Sequence, residues 1–328
     1  MEKVISGIRP TGNLHLGNYF GAVKSFIRMQ DEYQCMFFIA DWHSLTTHPT
    51  PENIRRSVKT ILSEYLACGI DPAKAPIYVQ SDVKPVLELY LYLNMNAYLG
   101  ELERVTSFKE KARTQPDNVN AGLLTYPTLM AADVLAHKAD KVPVGKDQEQ
   151  NMEMMRLFAR RFNRIYGVDF FKEPESFHFN KEAVKVPGLD GSGKMGKSEG
   201  NAIYLCDDEA TIRKKVMRAV TDSGPSQLNQ EKPEPIRNLF SLLRLVSAED
   251  TYAYFDDAYN NMTIRYGDLK KQLAQDINAF CAPIRERIAD FSSNDAYLDK
   301  VAAEGAEIAS ASAEKTLAEV RAIIGFGK

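Results

Sequence analysis

The 328-residue chain is poor in several things, and each shortage excludes a class of protein. Its four cysteines, Cys35, Cys68, Cys206 and Cys281, lie far apart and form no CxxC pair. That argues against a cysteine-bound metal or cluster and fits a reduced, cytoplasmic setting. No apolar run approaches the roughly 18 residues of a membrane span. The N-terminal Met1-Glu2-Lys3-Val4-Ile5-Ser6 passes directly into strand-like sequence, without the pattern of a signal peptide. Charge of one sign is missing too: 41 Lys+Arg face 44 Asp+Glu, a formal net charge of −3. This excludes a strongly basic, sequence-indifferent nucleic-acid coat but leaves room for a local basic patch. No period of 20–50 residues repeats and no segment is low-complexity, so solenoids and linker arrays are excluded. What is present is 44% hydrophobic residues and length for two domains at roughly 100–200 residues each, an enzyme-sized globular chain.

The first half alternates two kinds of segment. Lys3–Ser6, Gln34–Ala40, Pro76–Gln80 and Lys141–Val144 are short apolar runs that suit buried strands. Between them run segments of helical spacing. Gly17–Gln30 places Tyr19, Ala22, Val23, Phe26 and Ile27 on one face. Thr50 caps a helix with Pro51 at its first position and Gly69 as its stop. Further helices are expected over Pro85–Leu99, Tyr126–His137 and from near Gly145 to Gly167. The alternation predicts an α/β fold, a Rossmann-like parallel sheet with helices on both faces. Beyond Leu205 the strand signal fades. Asp207 is the expected cap of a helix toward Val220, followed by Pro235–Val246, Glu249–Tyr259, Asp268–Asp290 and Ala296–Ile324. The last offers Ala302, Ala303, Ala306, Ala309 and Ala313 for close packing. The expectation is a catalytic domain over 1–198 and an all-helical C-terminal domain over 199–328, its last helix packing back on the first.

Two glycine-bearing segments carry chemistry. Gly7-Ile8-Arg9-Pro10-Thr11-Gly12-Asn13-Leu14-His15-Leu16-Gly17-Asn18 joins the first strand to the first helix, where open α/β sheets bind ligands. Its glycines allow close backbone approach, and a helix N-terminus offers free N–H groups to an anion. Gly188-Leu189-Asp190-Gly191-Ser192-Gly193-Lys194-Met195-Gly196-Lys197-Ser198 matches GxxxxGK[ST] from Gly191, the P-loop pattern. A P-loop follows a buried strand and opens a helix at its Lys-Ser pair. Here Val186-Pro187-Gly188 precedes, and Gly200 with Ile203-Tyr204-Leu205 opposes a helix behind. The segment is read as a mobile lysine loop, with the P-loop as the competing reading.

Together the segments resemble a family. His15-Leu16-Gly17-Asn18 is similar to the HIGH signature and Lys194-Met195-Gly196-Lys197-Ser198 to the KMSKS signature of class I aminoacyl-tRNA synthetases. From end to end the chain resembles the bacterial tryptophanyl-tRNA synthetases. The matching stretches are Ser6–Gly12, Gly100–Arg104 through Phe108–Lys111, Gly122–Pro127, Leu129–Asp133, Val142–Gln148 and Ala219–Ser223.

The resemblance implies an ATP-dependent ligase that forms tryptophanyl-adenylate, releases pyrophosphate and charges tRNA(Trp). Lys194, Lys197, Ser198 and Lys111 would neutralise the pyrophosphate. Arg9, Pro10, Thr11, His15, Gly17 and Asn18 would hold the nucleotide with Met195 and Gly196. Gly145, Lys146 and Asp147 would contact ribose, and Val186 adenine through its backbone. Asp133 would accept the indole N–H against the apolar Met130, where tyrosyl enzymes usually place a Gln. Tyr126 and Gln148 match positions that hold the substrate ammonium, and His43 one near its carboxylate. Gly7, Ile5, Val142 and Val144 match the pocket lining. No protein-held metal is expected, since Mg2+ would arrive with ATP. The family also implies a homodimer, with the apolar helix around Val86–Leu99 as part of the interface, and tRNA recognition by the helical half. Arg213, Lys214, Lys215 and Arg218 form a basic cluster there, suited to phosphates.

Three residues depart from the family pattern: Arg9 stands where Gln is frequent, His15 where bacterial relatives often carry Thr, and Gly196 in place of the first Ser of KMSKS. The alternatives are a tyrosyl enzyme or a non-catalytic paralogue that only binds tRNA or nucleotide.

Overall fold

The computed structural model describes residues 1–145, 148–177, 185–191 and 193–326. Among these, five strands form one parallel sheet in the order β3-β2-β1-β4-β5. They are β1 (Lys3–Ile8), β2 (Gln34–Ile39), β3 (Ile77–Val79), β4 (Lys141–Pro143) and β5 (Glu175–Phe177). β5 escapes the sequence pattern because its three residues contain no apolar run.

The helix α1 opens at Leu16–Asn18, widens into π-helical turns over Tyr19–Val23 and continues over Lys24–Glu32. The short α2 (Asp41–Ser44) follows β2. Next comes α3 (Pro51–Cys68), where the Thr50 side chain accepts from the Asn53 amide and Gly69, at φ 111°, ends the helix. α4 (Pro85–Met95) stops short of the expected Leu99, and α5 (Leu99–Leu102) and α6 (Thr106–Thr114) follow it. α7 (Ala121–Leu135) begins five residues before the expected Tyr126: Asn120 caps it, and the helix carries the buried Pro127 in its interior at the loss of one donor. α8 (Glu149–Tyr166) completes this half.

The second half is helical: α9 (Glu209–Met217), α10 (Glu234–Val246), α11 (Glu249–Asn260), α12 (Tyr266–Ser292) and α13 (Asp295–Ile324). Asp208, not Asp207, caps α9, accepting from the Thr211 amide at 2.7 Å. Asp207 instead receives the Tyr204 amide at 2.8 Å and Lys215 Nζ at 2.6 Å.

Alternation along β2 separates two cores. Cys35, Phe37 and Ile39 face a core that runs into the helical half, joining Phe26 and Tyr65 to Leu243, Leu273 and Ile277. Met36 and Phe38 face the other, with Tyr78, Val142, Phe158 and Leu317. α12 packs on α3, and α13 on β3 and α4. A Cβ on Gly305 would collide with the Ile77 backbone, so glycine sets the close approach of α13 to β3. The alanine stripe is shorter than expected: Ala306, Ala309 and Ala313 are buried, Ala302 is partly buried and Ala303 is exposed. Arg321 fastens α13 to α4 by a two-pronged bond to Glu88, at 2.8 and 2.6 Å.

Candidate active site

At the carboxyl ends of β1, β2 and β4 lies a cavity of about 290 Å³. Its walls bring together twelve of the expected residues: Ile5, Gly7, Arg9, Asn18, His43, Tyr126, Met130, Asp133, Val142, Val144, Gly145 and Gln148. Phe38 closes the cavity beside Gly7, so tightly that a Cβ there would strike its ring. The lining is mainly apolar with a few convergent polar groups, the usual make-up of a small-molecule site.

The polar end is a network of buried side chains. Asp133 is only 2% exposed. His43 Nε2 lies 2.9 Å from its Oδ2, and Gln80 Nε2 lies 2.8 Å from both of its oxygens. Burial pushes this carboxyl above its ordinary range, while His43 and Gln80 pull it back. The carboxylate therefore holds His43 in the tautomer with hydrogen on Nε2. Lys111 Nζ stands 5.2 Å from the Tyr126 ring, and burial followed by the nearby Arg9 lowers its pKa.

A second set of expected residues lies outside the cavity wall, around the two glycine-bearing loops. His15 caps α1 through a reciprocal pair: the Asn18 amide donates to His15 Nδ1 at 3.3 Å, and the His15 amide to Asn18 Oδ1 at 3.1 Å. Since Nδ1 accepts, the hydrogen of the neutral ring is on Nε2. Burial, then Lys197 and Lys194, lowers the His15 pKa to about 4, so the ring is neutral at pH 7. The ring therefore presents a neutral N–H rather than a cation. A Cβ on Gly17 would sit 2.8 Å from this ring.

The lysine loop reaches back to the first loop. Lys197 Nζ donates to the Gly12 carbonyl at 2.8 Å and stands 3.4 Å from Thr11 Oγ1. The Met195 amide donates to the Val186 carbonyl at 2.8 Å, and the Met195 side chain is buried in the core. Ser198 Oγ donates to Glu199 at 2.9 Å. Gly196 has a local reason: a Cβ there would collide with the Glu199 carboxylate. Residues 197–200 form turns rather than a helix, which excludes the P-loop reading. Pro10 leads into this loop pair, while Lys146 and Asp147 lie outside the described residues.

Three residues of the site escaped the sequence reading. Gln80 looked like the end of a strand but sits in the turn after β3. Asn201 is a buried knot: its Oδ1 accepts the Gly196 amide at 2.9 Å, and its Nδ2 donates to Asp190 at 2.9 Å and to the Lys194 carbonyl at 3.1 Å. An Asn directly behind a glycine-rich loop was its only signal. Glu64, fully buried on α3, accepts the Leu14 amide at 2.6 Å, and burial raises its pKa to about 8. A lone acidic residue inside an apolar helix face was the clue. The basic cluster is also altered, since Lys215 is spent on Asp207.

Residues 2–282 match the family model of class I tRNA synthetases (W and Y). A tryptophan–tRNA ligase from Porphyromonas gingivalis is 74% identical over 326 residues, 99% of this chain and 100% of the relative. The chain belongs to the class I tryptophanyl-tRNA synthetases. Within that family, the solved structure from Campylobacter jejuni, described as complexed with ADP and tryptophan, superposes with a TM-score of 0.90 at 34% identity, covering 98% of this chain and 99% of that one. A tyrosyl-tRNA synthetase from Archaeoglobus fulgidus shares the fold at 20% identity and a TM-score of 0.66, covering 88% of this chain and 90% of that one.

Proposed function

We propose that the chain activates L-tryptophan with ATP and charges tRNA(Trp), its tryptophanyl-adenylate forming between the cavity and the two loops. The observation that carries this is the 74% identity to a tryptophan–tRNA ligase over 99% of the chain, joined to a cavity whose one buried carboxylate suits a single N–H donor. The tyrosyl alternative lacks its second polar group, since Met130 lies in the wall where a Gln would be needed. A non-catalytic binder would not need Lys194, Lys197, Asp133 and Gln148 together.

In this reading the tryptophan carboxylate attacks the α-phosphate of ATP in line. Such transfer depends on placement and charge stabilisation more than on covalent help. Lys194, Lys197, Ser198 and Lys111 neutralise the departing pyrophosphate. Thr11, His15, Gly17 and Asn18 hold the nucleotide, His15 through its neutral ring. Mg2+ would be carried by the ATP phosphates, where it neutralises their charge. Arg9 lies in the cavity wall beside Lys111, which fits a phosphate contact. The half over 199–328 is the proposed tRNA-binding domain, with Arg213, Lys214 and Arg218 toward phosphates.

A homodimer is proposed through α4, α5 and the turn between them, which expose Leu87, Leu91, Met95, Tyr98 and Leu99. No helix among the described residues is long and apolar enough to cross a membrane. A cytoplasmic location is part of the proposal.

The test is amino-acid-dependent ATP–pyrophosphate exchange with tryptophan, tyrosine and phenylalanine. Exchange with tryptophan alone is expected. Exchange with tyrosine would reverse the substrate, and none with any of them would reduce the chain to a binder.

A further inference from the structure

Two turns at the carboxyl edge of the sheet interlock beside the cavity. Asp41, after β2, accepts the Trp42 and Ser81 amides on Oδ1, each at 3.0 Å. Gln80, after β3, accepts the Trp42 amide on Oε1 at 3.1 Å. Because an N–H occupies that oxygen, the amide orientation of Gln80 is fixed and its NH2 must face Asp133. Gln80 is 1% exposed, so this contact is shielded from water.

The lone pairs of Asp133 can then be counted. Oδ2 takes Gln80 and His43; Oδ1 takes Gln80 alone. A carboxylate offers about four acceptor sites, so one remains, on Oδ1. We infer that Gln80 is a positioning residue for tryptophan selection: it clamps the Asp133 carboxylate so that a single acceptor site, on Oδ1, is left for one N–H donor. This rests on the reading of Asp133 as the indole acceptor. Loss of the clamp would free the carboxylate to rotate and to take up a proton, turning an acceptor into a donor.

The test compares tryptophan with its benzothienyl isostere, in which sulfur replaces the indole N–H, in pyrophosphate exchange. Wild-type enzyme comes first: if it fails to exchange with tryptophan, the reading of the site fails, not the clamp. If it exchanges with both amino acids equally well, Asp133 is not the indole acceptor. In Gln80→Met the preference for tryptophan over the isostere is expected to fall about 10-fold or more, through KM for tryptophan, with KM for ATP unchanged. A merely structural role for Gln80 would weaken both amino acids equally and overturn the inference, as would an unchanged preference.

The pH profile supplies a second readout. The groups facing Asp133 are His43 and Asp41 of α2, Tyr78 of β3 and Gln80 itself. Without Gln80 the carboxylate protonates more easily, so tryptophan recognition in Gln80→Met should be lost at a higher pH during acidification than in wild type. Gln80→Glu keeps the acceptor for the Trp42 amide and reverses the sign: a proton shared with Asp133 preserves recognition at low pH, and it fails as pH rises. The same pH trend in both variants would overturn the clamp.

Discussion

The cavity and the lysine loop sit side by side and are built in opposite ways. The cavity is lined by side chains from a sheet and helices, and its polar end is a buried network of Asp133, His43 and Gln80. The loop is backbone and glycine, shaped by turns and held at a few points: Asn201 inside it, Met195 beneath it, Lys197 across to Gly12. Under the proposed function the difference follows from the ligands. Choosing one ring system needs atoms fixed before the substrate arrives, because selectivity comes from a buried partner left unpaired by the wrong ring. Handling a polyphosphate needs positive charge close to the departing group, which lysines on glycine-rich backbone would provide.

That contrast can be broken at measurable points. The largest effect is expected from Lys194→Ala with Lys197→Ala: exchange should fall about 10²–10³-fold, the scale of lost transition-state stabilisation, while tryptophan binding measured by titration stays nearly intact. If binding falls together with exchange, the two regions are not separable. Asn201→Ala should act between these limits. It strands the Gly196 amide and the Lys194 carbonyl, costing about 1–2 kcal/mol in chemical denaturation, and it should raise KM for ATP more than KM for tryptophan. Equal changes in both KM values would show that the knot serves the fold alone.

The smallest effect concerns stability and pH. Glu64 carries a pKa raised to about 8 in the folded state against an ordinary 4.5. Between those values the folded protein holds a proton that the unfolded chain has released, so this group's stabilisation is complete below pH 4.5 and is lost as pH rises toward 8. Glu64→Gln keeps an acceptor for the Leu14 amide and should flatten that decline in denaturation midpoints taken from pH 5 to 9. A slope equal to that of wild type would assign the decline to other groups.

How far the sequence could be read depends on what kind of bond holds each part. Strands β1 to β4 and the long helices were legible because apolar period and capping residues are local signals, as Thr50, Pro51 and Gly69 demonstrate on α3. β5 was not, since three half-exposed residues carry no period. Pro127 misplaced the start of α7 because the helix continues around it. The cavity-lining residues came from motif resemblance, whereas their supports did not. Gln80 reaches Asp133 across 53 positions and Glu64 reaches Leu14 across 50, distances at which sequence spacing says nothing about contact.

The close seat of Gly305 on Ile77 bears on the order in which the protein is made. β3 lies at one edge of the sheet, and its outer neighbour is α13, formed by residues 295–324. Translation runs from the N-terminal end, so Gln148, the last residue of the cavity wall, is added 147 positions, and Ser198 of the lysine loop 97 positions, ahead of Asp295, where the helix that shields this strand begins. Throughout that interval an unpaired strand edge stands open, and edges of this kind recruit other chains. The nascent synthetase is thus most exposed to chaperones, and to self-association, at the stage when its active-site half is already synthesised.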